Sequence, residues 1–384
     1  MLLEFGAQNF FCFKEGVEIS LRLGSKCPGY ISNGKSFTNV LCVKGANGSG
    51  KTNALKIIPF LNNFCCNSFS RKPEEPIYYE SFFRNKDESF IYVEFIVDDV
   101  TYRYELVSSR DEVISECIFR KKKRFSPIVE RKGNKLKNCI NEYKELGVIK
   151  KLRSNASIVS TAHQYEIDCM EPIYNFFRRI SSNVSYAGLM HASNDTESAI
   201  SKLYFEHSEV LGFSKELIHK FDEAIYDIKV IQKDGSNPEV EEKEYIPVFL
   251  HKIDEEVHPL PIFAESSGTQ SLYKQLWRYK IMLEMGGVLV LDEFDINLHP
   301  DILPWLIKLF TDEETNPNNA QLVFSTHNTE VLDVLGKYRT VFVAKEENES
   351  FAYRLDEIPG DILRNDRPIV PIYKTGRIGG VPKL

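Results

Sequence analysis

The sequence predicts an α/β fold with an antiparallel β lobe and a helical insertion, from three observations. Apolar runs that read as strands are each followed by helical spacing at 40–61, 288–312 and 321–335, the alternation of a mostly parallel sheet covered by helices. Alternating runs at 89–98, 101–109 and 113–121 lie close together, as in an antiparallel meander. From about Asn141 to Phe221 the spacing turns helical instead.

The elements follow in order. LLEFGAQNF and VEISLRL, within 1–23, alternate apolar and polar residues and read as two strands of a hairpin or small sheet. The run 40-VLCV-43 is a short buried strand; a glycine-rich loop follows, and a helix opens near Lys51. The pair Asp98–Asp99 makes the turn between the first two meander strands, and 113-VISECIFRK-121 adds a third. Segments 171–184, 195–213 and 215–225 carry helical spacing, with Pro172 near a helix start. The tract 232-QKDGSNPEVEEKE-244 is polar, contains Gly and Pro, and reads as a loop. A helix at 268–285, a buried strand 288-VLVLD-292, a helix at 301–312, a strand 321-QLVFS-325, a helix near 329–335 and a strand near 340–345 complete the pattern.

With 384 residues the chain can bury a large core and support more than one lobe. No apolar run is long enough for a membrane span, and the start lacks the basic flank and cleavage site of a signal peptide. The eight cysteines are scattered without Cys-x-x-Cys or zinc spacing, as in reduced thiols of a cytoplasmic protein. The net charge of −7 excludes a generic nucleic-acid sponge. Charge is uneven, however: between Glu116 and Arg153 thirteen Lys and Arg face four Glu. That segment is a candidate nucleic-acid contact, weighed against an ordinary solvated face.

The octet 45-GANGSGKT-52 satisfies G-x-x-x-x-G-K-[ST] between a strand and a helix. Gly45, Asn47, Gly48, Ser49 and Gly50 would turn backbone N–H groups around an anion. Lys51 would reach the β- and γ-phosphates of ATP, and the Thr52 hydroxyl would ligate Mg²⁺. In 288-VLVLDEFDINLHP-300 four apolar residues carry Asp292 to the carboxyl end of a strand, where open α/β sheets bind ligands. Asp292 is the second candidate for Mg²⁺, and Glu293 the candidate base for the attacking water. In 321-QLVFSTHN-328 a neighbouring strand ends at His327, within reach of a γ-phosphate. Asn328 is a candidate helix cap. Ser266, Ser267 and Gly268 precede a strong helix, again small residues at a helix start.

Taken in this order, the motifs resemble the ABC-class ATPase heads shared by RecF, SMC and overcoming-lysogenisation-defect (OLD) proteins. GANGSGKT is similar to their Walker A motif, LVLDEFDINLHP to Walker B with its D-loop, STHN to the switch histidine, and SSGTQ to a degenerate signature loop. Asn9, Phe10 and Phe13 are similar to the N-F-x-x-F core of their first turn. The length resembles the stand-alone bacterial ATPases of the AAA-15/AAA-21, RloA/AbiLi-like group; the ending 373-YKTGRIGGVPKL-384 does too, though taken by itself it reads as a frayed terminus. The resemblance implies three parts: one half of the head with the β lobe at 1–125, a basic and helical insertion at 126–240, and the other half of the head at 241–384. It also implies a head-to-tail homodimer or larger homo-oligomer, in which Ser267 and Gly268 of one copy close over ATP held by another. A separately encoded effector, a toxin or nuclease in anti-phage defence, is the implied partner; the alternative is a RecF-like, ATP-gated DNA-binding protein of repair.

Overall fold

The structure, a computed structural model, describes residues 1–190, 194–234, 243–254, 256–358 and 362–380, with the backbone alone at 194–196. Its centre is a six-stranded sheet in the order Glu349–Arg354, Thr340–Glu346, Val40–Lys44, Gln321–Ser325, Val288–Leu291, Ile180–Ser182. All neighbouring pairs are parallel except the hairpin of Thr340–Glu346 with Glu349–Arg354. Helices cover both faces, so the inner strands Val40–Lys44, Gln321–Ser325 and Val288–Leu291 are buried at every residue, and period 2 sorts their apolar side chains between two cores. Leu41, Val43, Val288, Val290 and Val323 enter one core; Val40, Cys42, Leu289, Leu291, Leu322 and Phe324 enter the other.

The first core also holds the helix Ile57–Asn67 and the inner face of a seven-stranded antiparallel sheet. That sheet runs Val17–Ser20, Leu2–Gln8, Ser89–Val97, Val100–Ser108, Val113–Lys121, Phe125–Lys132, Lys135–Cys139. The first two strands and the meander therefore form one sheet. Gln321 ties it to the central sheet: its amide accepts from Leu2 N at 2.6 Å and donates to Leu2 O at 2.8 Å. The second core holds the helices Ser267–Met285, Ile302–Thr311 and Ser208–Phe221, against a three-stranded sheet of Ile225–Asp234, Lys243–Ile253 and Glu256–Pro261.

Several sequence expectations are corrected here. The lobe sheet continues past residue 125 through two further strands, so half of the basic stretch is sheet and not insertion. Its charges are partly internal: Arg131 donates to Glu116 at 2.9 Å with both side chains fully buried. The helical reading of 171–184 ends at Arg178, and Ile180–Ser182 is instead the edge strand of the central sheet, because Val288–Val290 supplies a parallel partner. The helices expected at 195–213 and 215–225 break earlier, at His207, and Ile225 already starts a strand. Within the expected loop 232–244, strand reaches Asp234 and resumes at Lys243; 235–242 lie outside the described residues. The tail packs through Gly380: Tyr373 and Ile378 are buried, and Tyr353 Oη donates to Ile378 O at 2.8 Å. Residues 381–384 of the tail motif lie outside the described residues. No helix among the described residues is long and apolar enough to cross a membrane.

Candidate functional site

Four adjacent parallel strands deliver the site from their carboxyl ends, the edge where open α/β sheets carry ligands. Val40–Lys44 leads into the loop 45–52, Gln321–Ser325 into His327, Val288–Leu291 into Asp292, and Ile180–Ser182 into Asn183.

The loop is held by contacts that only glycine permits. A Cβ on Gly45 would stand 2.2 Å from the Val343 carbonyl. Gly50 has φ +108°, and a Cβ there would meet Cys12 Sγ at 2.7 Å. Asn47 and Gly48 are exposed at the loop crest; Ser49 is buried, and among the described residues its Oγ has no hydrogen-bond partner. Lys51 turns back over this loop and donates to Gly45 O at 3.0 Å and Ala46 O at 3.1 Å. Burial holds its pKa below the ordinary lysine value, opposed by Asp292, Glu293 and Asp295 nearby. A buried ammonium satisfied by two carbonyls and facing three carboxylates, beside a free buried hydroxyl, fits an anion bound in the loop.

Asp292 joins the loop to the neighbouring strands. Its Oδ2 accepts from Thr52 Oγ1 at 2.6 Å, and its Oδ1 accepts from Ser325 Oγ. Its backbone is clamped by Asn183, which accepts from Asp292 N at 2.7 Å and donates to Asp292 O at 2.9 Å. Among the described residues no group of three or more His, Cys, Asp or Glu could hold a metal ion. A hydroxyl and one carboxylate fit Mg²⁺, a hard cation that keeps waters and takes phosphate oxygens as its other ligands. Glu293 follows in the left-handed region, φ +49°, a turn held by its N–H donating to Ser325 Oγ at 3.0 Å and by Phe294 N donating to Ser325 O at 2.9 Å. Such strain in a non-glycine residue persists only where its surroundings fix it.

His327 is exposed at the rim, and the backbone around it is gripped from two sides. Lys44, 2% exposed, donates through Nζ to the carbonyls of Thr326, His327 and Asn328 at 3.3, 3.1 and 3.0 Å. Asp295 accepts from the N–H groups of His327 and Asn328 at 3.2 and 3.1 Å. Asn328 Oδ1 accepts from Glu330 N at 2.7 Å, just before the short helix Val331–Leu335.

Ser267 and Gly268 stand outside this cluster. They begin the 19-residue helix, capped by Ser266 Oγ accepting from Thr269 N at 3.1 Å. Ser267 is exposed, and a Cβ on Gly268 would meet Asn297 O at 3.0 Å, in the turn beyond the acidic strand. At ~1.5 Å per residue this helix is about twice as long as the strand it precedes, so its start projects past the sheet edge.

The structure therefore brings Lys51, Thr52, Asp292 and Glu293 together with the His327 loop, and leaves Ser267 exposed, with Gly268 half-buried against the turn at Asn297. Lys44, Asn183, Asp295 and Ser325 complete the arrangement without having been singled out in the sequence. Lys44 had a readable signal, a polar residue ending an apolar strand. Asn183 had none, since its segment read as helix.

The AAA_21 family, described as "AAA domain, putative AbiEii toxin, Type IV TA system", matches residues 40–333. The SMC head bound to the C-winged helix domain of ScpA is similar in structure, with a TM-score of 0.50 at 14% identity, covering 92% of this chain and 97% of that one. The SMC head domain from Thermotoga maritima gives 0.45 at 13% identity, covering 92% and 98%. An SMC head with an extended coiled coil, bound to the C-terminal domain of ScpA from Pyrococcus furiosus, gives 0.42 at 13%, covering 98% of each. No curated protein matches the chain. At 14% identity the first of these likenesses speaks to fold alone: the mixed α/β fold of an SMC head.

Proposed function

The chain belongs to the AAA_21 family, and from that premise we propose that it is an ATP-hydrolysing switch of ABC type that dimerises around ATP and controls a separately encoded effector. The observation that carries the reading is the 2.6 Å hydrogen bond from Thr52 to Asp292, which joins the glycine loop to the acidic strand in one small volume. Gly45, Asn47, Gly48, Ser49 and Gly50 would cradle the phosphates, with Lys51 on the β- and γ-phosphates. Thr52 and Asp292 would hold Mg²⁺, which when bound neutralises charge on the transferring phosphoryl oxygens. Glu293 would accept a proton from the attacking water, and His327 would contact the γ-phosphate from the rim. The exposure of Ser267, with Gly268 beside it at the same helix start, suits closure over the ATP of a second copy. Binding that is complete only in the closed dimer makes ATP a clamp, and hydrolysis its release.

The same proposal extends to a role in abortive infection of the RloA/AbiLi kind, with a toxin or nuclease as effector; the family's description, which names a putative AbiEii toxin and a type IV TA system, supports a link to a toxin system. One observation favours a RecF-like, DNA-binding alternative. Lys121, Lys122, Lys123 and Arg124 are exposed at a hairpin turn, and among the described residues none of the four forms an ion pair. The deciding experiment measures Mg²⁺-dependent phosphate release, and the mass of the purified Glu293→Gln particle with and without ATP. Phosphate release with ATP-dependent doubling of mass supports the switch. No release from folded wild type refutes it. Salt-sensitive DNA binding that strengthens with ATP and falls on removal of the four-cation turn favours the alternative.

A further inference from the structure

Beside the helix that follows the glycine loop lies a cavity of about 410 Å³, within the size range of small-ligand sites. Phe11, Phe60, Tyr78 and Tyr186 supply its rings, and Lys56 and Arg71 its charge. Tyr78 and Tyr186 are 39% and 40% exposed, so ring surface remains open to an occupant. Lys56 Nζ sits 4.1 Å from the Phe11 centroid, and the Arg71 guanidinium 4.6 Å from that of Tyr78. Arg71 is further fixed by donating to Asn63 Oδ1.

These two cations differ from others in the same lobe. Arg103 pairs with Glu94 and Glu105, Arg110 with Glu80, Arg120 with Glu142 and Arg131 with Glu116. Among the described residues neither Lys56 nor Arg71 forms an ion pair, although burial pushes both below their ordinary pKa values. Half-buried cations set over aromatic rings, with no carboxylate in ion-pair contact and only Asp292 and Glu75 acting on them from farther off, are matched by an anion attached to a flat ring. The guanidinium fork suits phosphate, and a base can stack on the open aromatic rings.

We propose that this cavity is a second binding site, separate from the glycine loop, that takes a nucleoside 5′-monophosphate, either free or as the phosphorylated end of a strand. The same wall links it to the first site. The segment Ser182–Met190 lines the cavity, and within it Asn183 holds both backbone polar groups of Asp292. An occupant that shifts this segment shifts Asp292.

The test is calorimetric titration of the 5′-monophosphates of adenosine, guanosine, cytidine and uridine into the full chain, presaturated with a non-hydrolysable ATP analogue so that the glycine loop is filled. At least one should bind with one extra equivalent and a Kd of about 10 µM, near −7 kcal/mol. Arg71→Ala should weaken it at least tenfold, Arg71→Lys less, and the unphosphorylated nucleoside should bind at least tenfold more weakly. Met190→Trp, at a 46% exposed wall position, should block entry while leaving the melting transition in place. A 5′-phosphorylated tetranucleotide that binds tighter than any monophosphate identifies a strand end as the source; weaker binding identifies the free nucleotide. No binding of any of these by analogue-saturated protein overturns the proposal. So does binding that is indifferent to both Arg71→Ala and Met190→Trp.

Discussion

Replacing Lys44 by Met keeps the length and apolar stem of the side chain and removes only the ammonium. Three carbonyls then lose their shared donor. Those of His327 and Asn328 belong to residues at or near the surface and can turn to water, whereas Thr326 is 1% exposed and its carbonyl cannot do so without moving the loop. One orphaned buried carbonyl costs about 1–3 kcal/mol. Relief of the buried ammonium, whose pKa burial already lowers, offsets part of this, so the net stability loss should stay near or below about 2 kcal/mol. Turnover should suffer far more. The His327 backbone loses one of its two grips, and a misplacement of about 1 Å in such a group costs roughly 10²-fold. Phosphate release, equilibrium binding of an ATP analogue and a thermal melt should be measured on the same preparation. The expected pattern is a kcat lower by about 10²-fold with analogue affinity changed less than about threefold. Wild-type kcat in a folded Lys44→Met protein would refute the positioning role. An equal loss of affinity and turnover would move Lys44 into nucleotide binding.

Glu293→Gln should lower hydrolysis by about 10²–10⁴-fold while retaining ATP binding, and light scattering should then find a persistent ATP-bound dimer. Arg131→Met should cost about 3–5 kcal/mol in a urea melt, since it strands the fully buried Glu116 without its cation; Arg124→Met on the exposed turn should stay within about 0.5 kcal/mol. Burial pushes the Cys42 and Cys66 thiols up to about 12, so at pH 8 only roughly 10⁻⁴ of either is thiolate, and mass mapping after alkylation of native protein should leave both unmodified. The unfolded thiols ionise near 9.0 and the native ones near 12, so the native state binds more protons between those values. Stability from these groups is full below pH 9 and falls as pH rises towards 12.

How much of this was legible depended on whether local chemistry or distant pairing decided a segment. The glycine loop, Asp292, Glu293 and His327 were readable because each ends an apolar strand, and the strand and its polar terminus are contiguous in sequence. Ile180–Ser182 was not, because nothing local distinguishes ISS from the end of the preceding helix; Val288–Val290, more than one hundred residues away, makes it a strand. Asn183, the clamp on Asp292, was hidden with it. The basic stretch misled for a related reason. Arg131 and Arg153 look solvated in a list of charges, yet Arg131 meets buried Glu116, and Arg153 donates to the backbone carbonyls of Phe69 and Arg71 at 2.7 and 2.6 Å. Charge counts report composition, whereas the partner of each charge is set by the fold.

The most direct measurement of the central claim, that Thr52 and Asp292 form one site for Mg²⁺ and a triphosphate, is the affinity of a non-hydrolysable ATP analogue with and without Mg²⁺, in wild type and in Asp292→Asn. In wild type Mg²⁺ should tighten binding about 10–100-fold, and the substitution should abolish that gain while leaving the metal-free affinity near its original value. An Asp292→Asn protein whose Mg²⁺ dependence equals that of wild type would contradict it.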